Sequence, residues 1–208
     1  KDQVDVILAN PPFGASIADG VETNFPATYR CKESADLFVI LTLQLLKPNG
    51  RCAIVLPDGS ITGDGVKSRI REKLLADTNL HTIIRLPQST FHPATVSTNL
   101  LFFEKGSPTK EIWYYEHKLP EGQKSYSKTK PIQFAEFQPI IEWWYNREEN
   151  DQVWKVKIED LKDWSLDIKN PNQNSVEIEL STEETIEALK SSFAKSSKII
   201  SELENLLK

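Results

Sequence analysis

The chain has 208 residues, of which 39% are hydrophobic, 26% charged and 9% aromatic, and its formal net charge is −5. This is the composition of a globular protein with one substantial core, and 8 Gly, 12 Pro and 2 Cys exclude collagen-like, disordered and disulfide-scaffold classes. With no apolar run near the ~20 residues of a membrane span and no opening signal segment, a cytoplasmic protein without membrane attachment is expected.

Residues 4–9 form a short, nearly continuous apolar run, the pattern of a parallel strand buried on both faces. It must stop at Asn10-Pro11-Pro12, because consecutive prolines cannot continue a ladder. Leu37, Ile40, Leu41, Leu45 and Leu46 mark a helical stripe over 35–47, closed by Lys47-Pro48-Asn49-Gly50. Residues 52–56 read as a second buried strand. An amphipathic helix over 66–77 carries Val66, Ile70, Leu74 and Leu75, and 81–86 is a third strand stopped by Pro87. Strands alternating with helices across short loops are the signature of an α/β, doubly wound sheet. Residues 99–104 follow without room for a crossover helix, which predicts an antiparallel return. A further strand is expected over 111–116.

After Pro120 the pattern weakens. Residues 120–131 are polar and read as an exposed loop, Ile140 to Tyr145 as a short helix, 153–158 as a short strand and 170–175 as a linker. Residues 181–208 read as a helix opened by a capping box of Ser181 and Glu184. Ile186, Leu189, Phe193, Ile200, Leu203 and Leu207 fall in a heptad register broken only by Ser196, so this helix needs either a partner helix or its own domain to pack on. The expected division is 1–118, 119–175 and 176–208. The first 106 residues carry 11 basic and 11 acidic side chains and the remainder 14 and 19, an acidic balance that argues against charge-led binding of bare nucleic acid. Cys31 and Cys52 have no ligand spacing and His81, His92 and His117 are isolated, so free thiols and no metal are expected.

The chemistry-bearing pattern is Asn10-Pro11-Pro12-Phe13, directly after a buried strand, where ligands bind in doubly wound sheets. Its residue types suit a planar conjugated amino group such as the exocyclic amine of adenine, whose lone pair is delocalised into the ring. The Asn10 side-chain carbonyl and the Pro11 backbone carbonyl can each accept one N–H bond. They thereby draw the nitrogen toward sp³ geometry and stabilise the positive charge that grows as it attacks a methyl group. Phe13 offers a flat face for a base extruded from a duplex.

The segment resembles the amino-methyltransferase family whose motif is [DNS]-P-P-[FYW], and the chain resembles the modification subunit of type I restriction–modification systems. The resemblance rests on 5–14, Ala35-Asp36-Leu37-Phe38, 46–65 (LKPNGRCAIVLPDGSITGDG), 79–87 (NLHTIIRLP), 97–106 (STNLLFFEKG), 143–150 and 163–172. It implies the C-terminal half of a Rossmann-like methyltransferase sheet, with an irregular extension and a C-terminal helix, and adenine-N6 methylation of DNA using S-adenosylmethionine. It further implies that Asn10, Pro11, Pro12 and Phe13 hold the adenine, that Asn10 and Phe38 touch the cofactor, and that the Gly-rich cofactor loop lies upstream. Because the chain begins with Lys and contains no Met, a fragment of a longer protein is expected, inactive and self-associating by itself. Partners implied are DNA and the specificity and restriction subunits, with helix 181–208 as the contact.

Gly59, Gly63 and Gly65 fit neither Walker A nor G-x-G-x-x-G spacing and read as a mobile loop with unusual backbone angles. Near it, Lys67, Arg69, Arg71 and Lys73 are candidates for DNA phosphates. Trp143 and Trp144 are either core anchors or a base-stacking platform. Rival readings are methylation of a protein glutamine or an RNA base amine, and a non-catalytic interaction module.

Overall fold

The computed structural model describes residues 3–172 and eight helical positions between Ile186 and Ile200. In chain order the elements are β1 (Val4–Ala9), α1 (Ser34–Leu45), β2 (Leu46–Pro57), α2 (Asp58–Thr62), α3 (Val66–Asp77), β3 (Thr78–Leu86), β4 (Thr98–Lys105), β5 (Glu111–Glu116), α4 (Gln138–Tyr145) and β6 (Val153–Lys157). The strands make one mixed sheet in the order β1-β2-β4-β3-β5-β6. β1 runs parallel to β2 and β3 parallel to β5, while β4 returns antiparallel between β2 and β3. No helix lies between β3 and β4, so the chain can only turn back there, as the sequence predicts.

Alternation along the strands divides the side chains between two layers. Ile54, Leu56, Ile83, Leu101 and Phe103 face α1 and α3 and form the larger core with Val39, Ile40, Leu43, Ile70 and Leu74. Ile84, Leu86 and Tyr115 point the other way and meet Ile140, Trp143 and Val153. The parallel register sets Ala9 opposite Ile54, so Asn10 leaves the sheet at the same end as Asp58. That shared end is where the chemistry-bearing turn sits.

Several expectations need correction. α1 ends at Leu45, and Lys47-Pro48-Asn49-Gly50 belongs to a bulge inside β2: Val4 pairs with Leu46 but Val6 with Arg51, and Asn49 turns the chain with φ +62°. The glycine segment is not an irregular loop, for Gly59 lies within α2 and only Gly65, of its three glycines, takes a positive φ. Gly63 serves close packing instead, since a Cβ there would stand 2.4 Å from Lys67 Cδ. β6 extends the sheet beside β5, and residues 1–173 form one compact unit. The second unit is 174–208, whose described positions are helical. There Ile186, Leu189, Phe193 and Ile200 are exposed. Ser181, Glu184, Leu203 and Leu207 lie outside the described residues. Among the described residues no helix is long and apolar enough to cross a membrane.

The segment 120–131 is polar but not free, because Tyr126 within it is buried at 2% exposure. Its hydroxyl donates to the Glu136 carboxylate, which leaves its oxygen to accept from His117 Nε2 at 3.0 Å. The His117 ring also stacks on Phe137 at a centroid distance of 5.4 Å. Burial holds the His117 pKa below its ordinary 6.5, with Glu136 opposing. The unfolded chain therefore takes up this proton first, and the stability tied to neutral His117 is complete above about pH 6.5 and is lost on acidification below it. Thermal melts between pH 7.5 and 5.5 are expected to show a falling midpoint, with a shallower fall in His117→Gln; an unaltered slope in that variant contradicts the assignment.

Candidate functional site

β1 terminates where the sequence requires, and the next residues build the crest of the sheet. Asn10 is exposed, Pro11 buried, Pro12 exposed and Phe13 half-buried. Among the described residues, neither the Asn10 side chain nor the Pro11 carbonyl has a hydrogen-bond partner. The Pro12 carbonyl differs, for it accepts the Ser34 hydroxyl at 2.9 Å. Two unengaged carbonyl acceptors thus lie next to each other in the turn, one on exposed Asn10 and one on buried Pro11.

Phe13 meets Phe91 edge-on, with centroids 5.2 Å apart and planes at 80°. Phe91 sits in the loop between β3 and β4, which by sequence alone is only a connection. The signal that could have found it is an aromatic in a loop at the carboxyl end of a strand, the position where α/β sheets bind ligands. Phe38 is 37% exposed on α1, four residues from Ser34 and so on the same helix face one turn along. Asp36 on the same helix points inward at 1% exposure, and burial raises its carboxyl pKa.

The four cations of α3 do not form one open basic face. Lys67 Nζ lies 2.6 Å from Glu33 Oε2 and 3.5 Å from Asp36 Oδ2, and donates to the Gly59 carbonyl at 3.0 Å. Burial pulls the Lys67 pKa down, yet the two carboxylates outweigh it and the net shift is upward. Arg71 is 3% exposed, and its guanidinium donates to the carbonyls of Trp164, Ser60 and Gly63 at 2.6, 3.0 and 2.7 Å. That arrangement corrects the phosphate assignment for Arg71, whose donors are turned into the protein. Lys73 pairs with Asp77 one turn away at 2.6 Å and lies over the Tyr29 ring. Arg69 alone of the four is exposed, held by one bond from Nε to the Thr28 carbonyl.

Trp143 is a core anchor, 8% exposed against Tyr115 and Trp113, with its indole N–H on the Glu148 carbonyl. Trp144 is half-buried against Phe102 and His81, with the Arg147 guanidinium above it. On this side of the sheet α4 stops short of β1 and β2. Val6 and Leu8 are 49% and 82% exposed and border a groove of about 530 Å³ with Ala53, Phe102 and Arg147. Cys52 faces the core, and burial pushes its thiol up to about 12. Among the described residues no cluster of His, Cys, Asp and Glu could hold a metal ion.

A family model described as N-6 DNA Methylase matches residues 1–179. The type I restriction enzyme EcoEI methylase subunit of Escherichia coli is 54% identical over 182 residues, covering 83% of this chain and 37% of the relative. A modification subunit of a putative type I restriction enzyme from Vibrio vulnificus YJ016 superposes with TM-score 0.79 at 44% identity, covering 82% of this chain and 39% of that one. A chain from a structural study of type I R-M complex assembly and conformational transition gives TM-score 0.78 at 34% identity, covering 99% and 45%. The chain spans less than half the length of each of these relatives.

The burial of Arg71 separates structural from surface cations. Arg71→Met is expected to destabilise the protein by about 2–4 kcal/mol, because it strands three carbonyls. Lys73→Ala should change stability by no more than about 1 kcal/mol, since its pair is partly exposed. Urea denaturation measures both, and equal effects would contradict the distinction.

Proposed function

The chain belongs to the N-6 DNA methylase family, and on that premise we propose that it carries the target-base site of a type I restriction–modification DNA methyltransferase acting on adenine N6. The observation that carries this reading is the pair of unengaged acceptors, the Asn10 side chain and the Pro11 carbonyl, beside a half-buried Phe13 at the carboxyl end of β1.

An extruded adenine stacks on Phe13, with Phe91 buttressing that ring from its edge. Its amino group donates one N–H to Asn10 Oδ1 and the other to the Pro11 carbonyl. Those bonds weaken conjugation with the ring and strengthen as positive charge grows on nitrogen, so they favour the transition state over the ground state. The surplus proton passes from nitrogen to water after the transfer. S-adenosylmethionine supplies the electrophilic methyl group when bound. Phe38, an exposed aromatic one helical turn from the residue that holds Pro12, fits a face of the cofactor's purine, and Asn10 stands between the two ligands.

The main cofactor loop is assigned to polypeptide beyond β1. Among the described residues β1 is an edge strand, which supports a sheet that continues there, and its exposed apolar side chains, Leu8 above all, support further polypeptide covering it. Activity accordingly belongs to the longer protein, and the 208-residue chain alone is expected to bind S-adenosylmethionine weakly. The exposed heptad positions Ile186, Leu189, Phe193 and Ile200 support the segment 181–208 as the contact with a specificity subunit, in a complex that also holds a restriction subunit. Delegated sequence reading fits the acidic charge, and Arg69 remains as the cation of α3 that meets a DNA phosphate.

Mass spectrometry of N6-methyladenine in DNA treated with the full-length complex tests the central reading. Asn10→Ala is expected to lower the rate by roughly 10²–10³-fold with the complex still assembled. A wild-type rate, or methyl groups found on RNA or protein instead of DNA, would overturn it. Arg69→Ala should weaken DNA binding and reduce the slope of log K against log salt by about 1. An unchanged slope removes Arg69 from the interface.

A further inference from the structure

We infer that Ser34 is a positioning residue for methyl transfer, which grips the chain on both sides of Phe13-Gly14 and so fixes the aromatic face presented to the base. The inference rests on the reading of Asn10-Pro11-Pro12-Phe13 given above.

Ser34 is the first residue of α1 and is 6% exposed. Its hydroxyl donates to the Pro12 carbonyl at 2.9 Å, and its backbone N–H donates to the Ala15 carbonyl at 3.1 Å. An N–H in the first turn of a helix has no partner within that helix, so this donor is free for the loop. Pro11 and Pro12 have no N–H to give, so across the Pro-Pro step the chain can be held only by its carbonyls, and it is tied down again beyond Ala15, where the Ile17 N–H donates to the Lys32 carbonyl at 2.9 Å. Gly14 turns the chain between the two grips at φ +64°, where a Cβ would meet nothing within 4 Å; the glycine is there for its backbone angle.

The grip is mounted on a rigid base. Ala35, Leu37, Val39, Ile40 and Leu43 of α1 are buried in the core, and Glu33, just before Ser34, is tied to Lys67 at 2.6 Å. Side chains held by such an element are placed more tightly than loop residues hold themselves. The two proline carbonyls also divide their duties: Ser34 occupies that of Pro12, and that of Pro11 stays open for the amino group. Loss of the hydroxyl frees Pro12, lets Phe13 swing, and gives the free carbonyl no fixed direction. Displacements of this size at a reacting centre cost rate more than affinity.

The experiment uses the full-length methylase in its complex, with kcat and KM measured on a duplex carrying the natural target adenine and a second duplex, with 2-aminopurine in its place, reporting the extruded base by fluorescence. Ser34→Ala is expected to lower kcat by about ten- to a hundredfold. The KM for S-adenosylmethionine should stay within about twofold, since the change leaves cofactor contacts in place. The 2-aminopurine signal should change, because Phe13 no longer holds one face of the base. Ser34→Thr keeps the oxygen and should recover most of kcat. A Ser34→Ala enzyme that melts earlier yet keeps wild-type kcat and fluorescence overturns the inference and leaves Ser34 a stabilising residue only. Equal loss in Ser34→Thr and Ser34→Ala overturns the role of the hydroxyl. Asn10→Ala run in parallel separates the two levels: an active Asn10→Ala enzyme sinks the reading of the motif, whereas an inactive one beside a fully active Ser34→Ala enzyme sinks only the role of Ser34.

Discussion

Two successive prolines at the end of a parallel strand impose a simple constraint: the backbone continues to offer carbonyl oxygens but has no N–H to donate. β1 must leave the sheet there, and the turn that follows presents acceptors without competing donors. Everything proposed for the site depends on this. A turn built from ordinary residues would pair its own carbonyls with neighbouring N–H groups, and the acceptors would be consumed. Here one carbonyl is taken by Ser34 and the Pro11 carbonyl is left open next to the Asn10 side chain. The sheet contributes the position, because the parallel register with β2 delivers the turn to the end of the sheet where α2 and the β3–β4 loop also arrive.

The cations of α3 show how burial decides the meaning of charge. Lys67, Arg69, Arg71 and Lys73, four cations within seven residues, look from sequence like a surface patch for phosphates. In the fold, Arg71 organises three carbonyls around α2 and the segment near Trp164, and Lys67 bridges α2 to the start of α1. A buried guanidinium with satisfied donors has nothing left for DNA, while its removal leaves carbonyls stranded. The same interactions hold the platform from which Ser34 reaches the Asn10–Phe13 turn. Charge on this helix therefore acts on the site from within the protein.

Much of this was legible in the amino-acid pattern because it follows from strong local rules. The apolar run at 4–9 ending in Pro-Pro, the helix over 66–77 and the antiparallel return near 99–104 each needed only periodicity, proline chemistry and loop length. The strand before Asn10 formed where its apolar run predicts, but it is not buried on both faces: Val4, Val6 and Leu8 are 42%, 49% and 82% exposed, because β1 lies at the edge of the described sheet. Non-local effects were not readable. The bulge that puts Lys47 to Gly50 into β2 depends on pairing with β1, and a Lys-Pro-Asn-Gly run by itself reads as a helix stop. Tyr126 lies in a polar stretch, and only its contact with Glu136 and His117 explains its burial. Phe91 and Ser34 became visible as parts of the site only when the fold brought 13 to 91 and 12 to 34.

The contact between Phe13 and the target base is the most direct expression of the account. It can be read by photo-crosslinking the full-length complex to a duplex with 5-iodouracil in place of the target adenine, followed by mass mapping of the adduct. The account predicts that the covalent attachment falls on the peptide containing Phe13, and that it is lost in Phe13→Ala with DNA binding retained. Attachment to another part of the protein, with the Phe13 peptide unmodified, would contradict it.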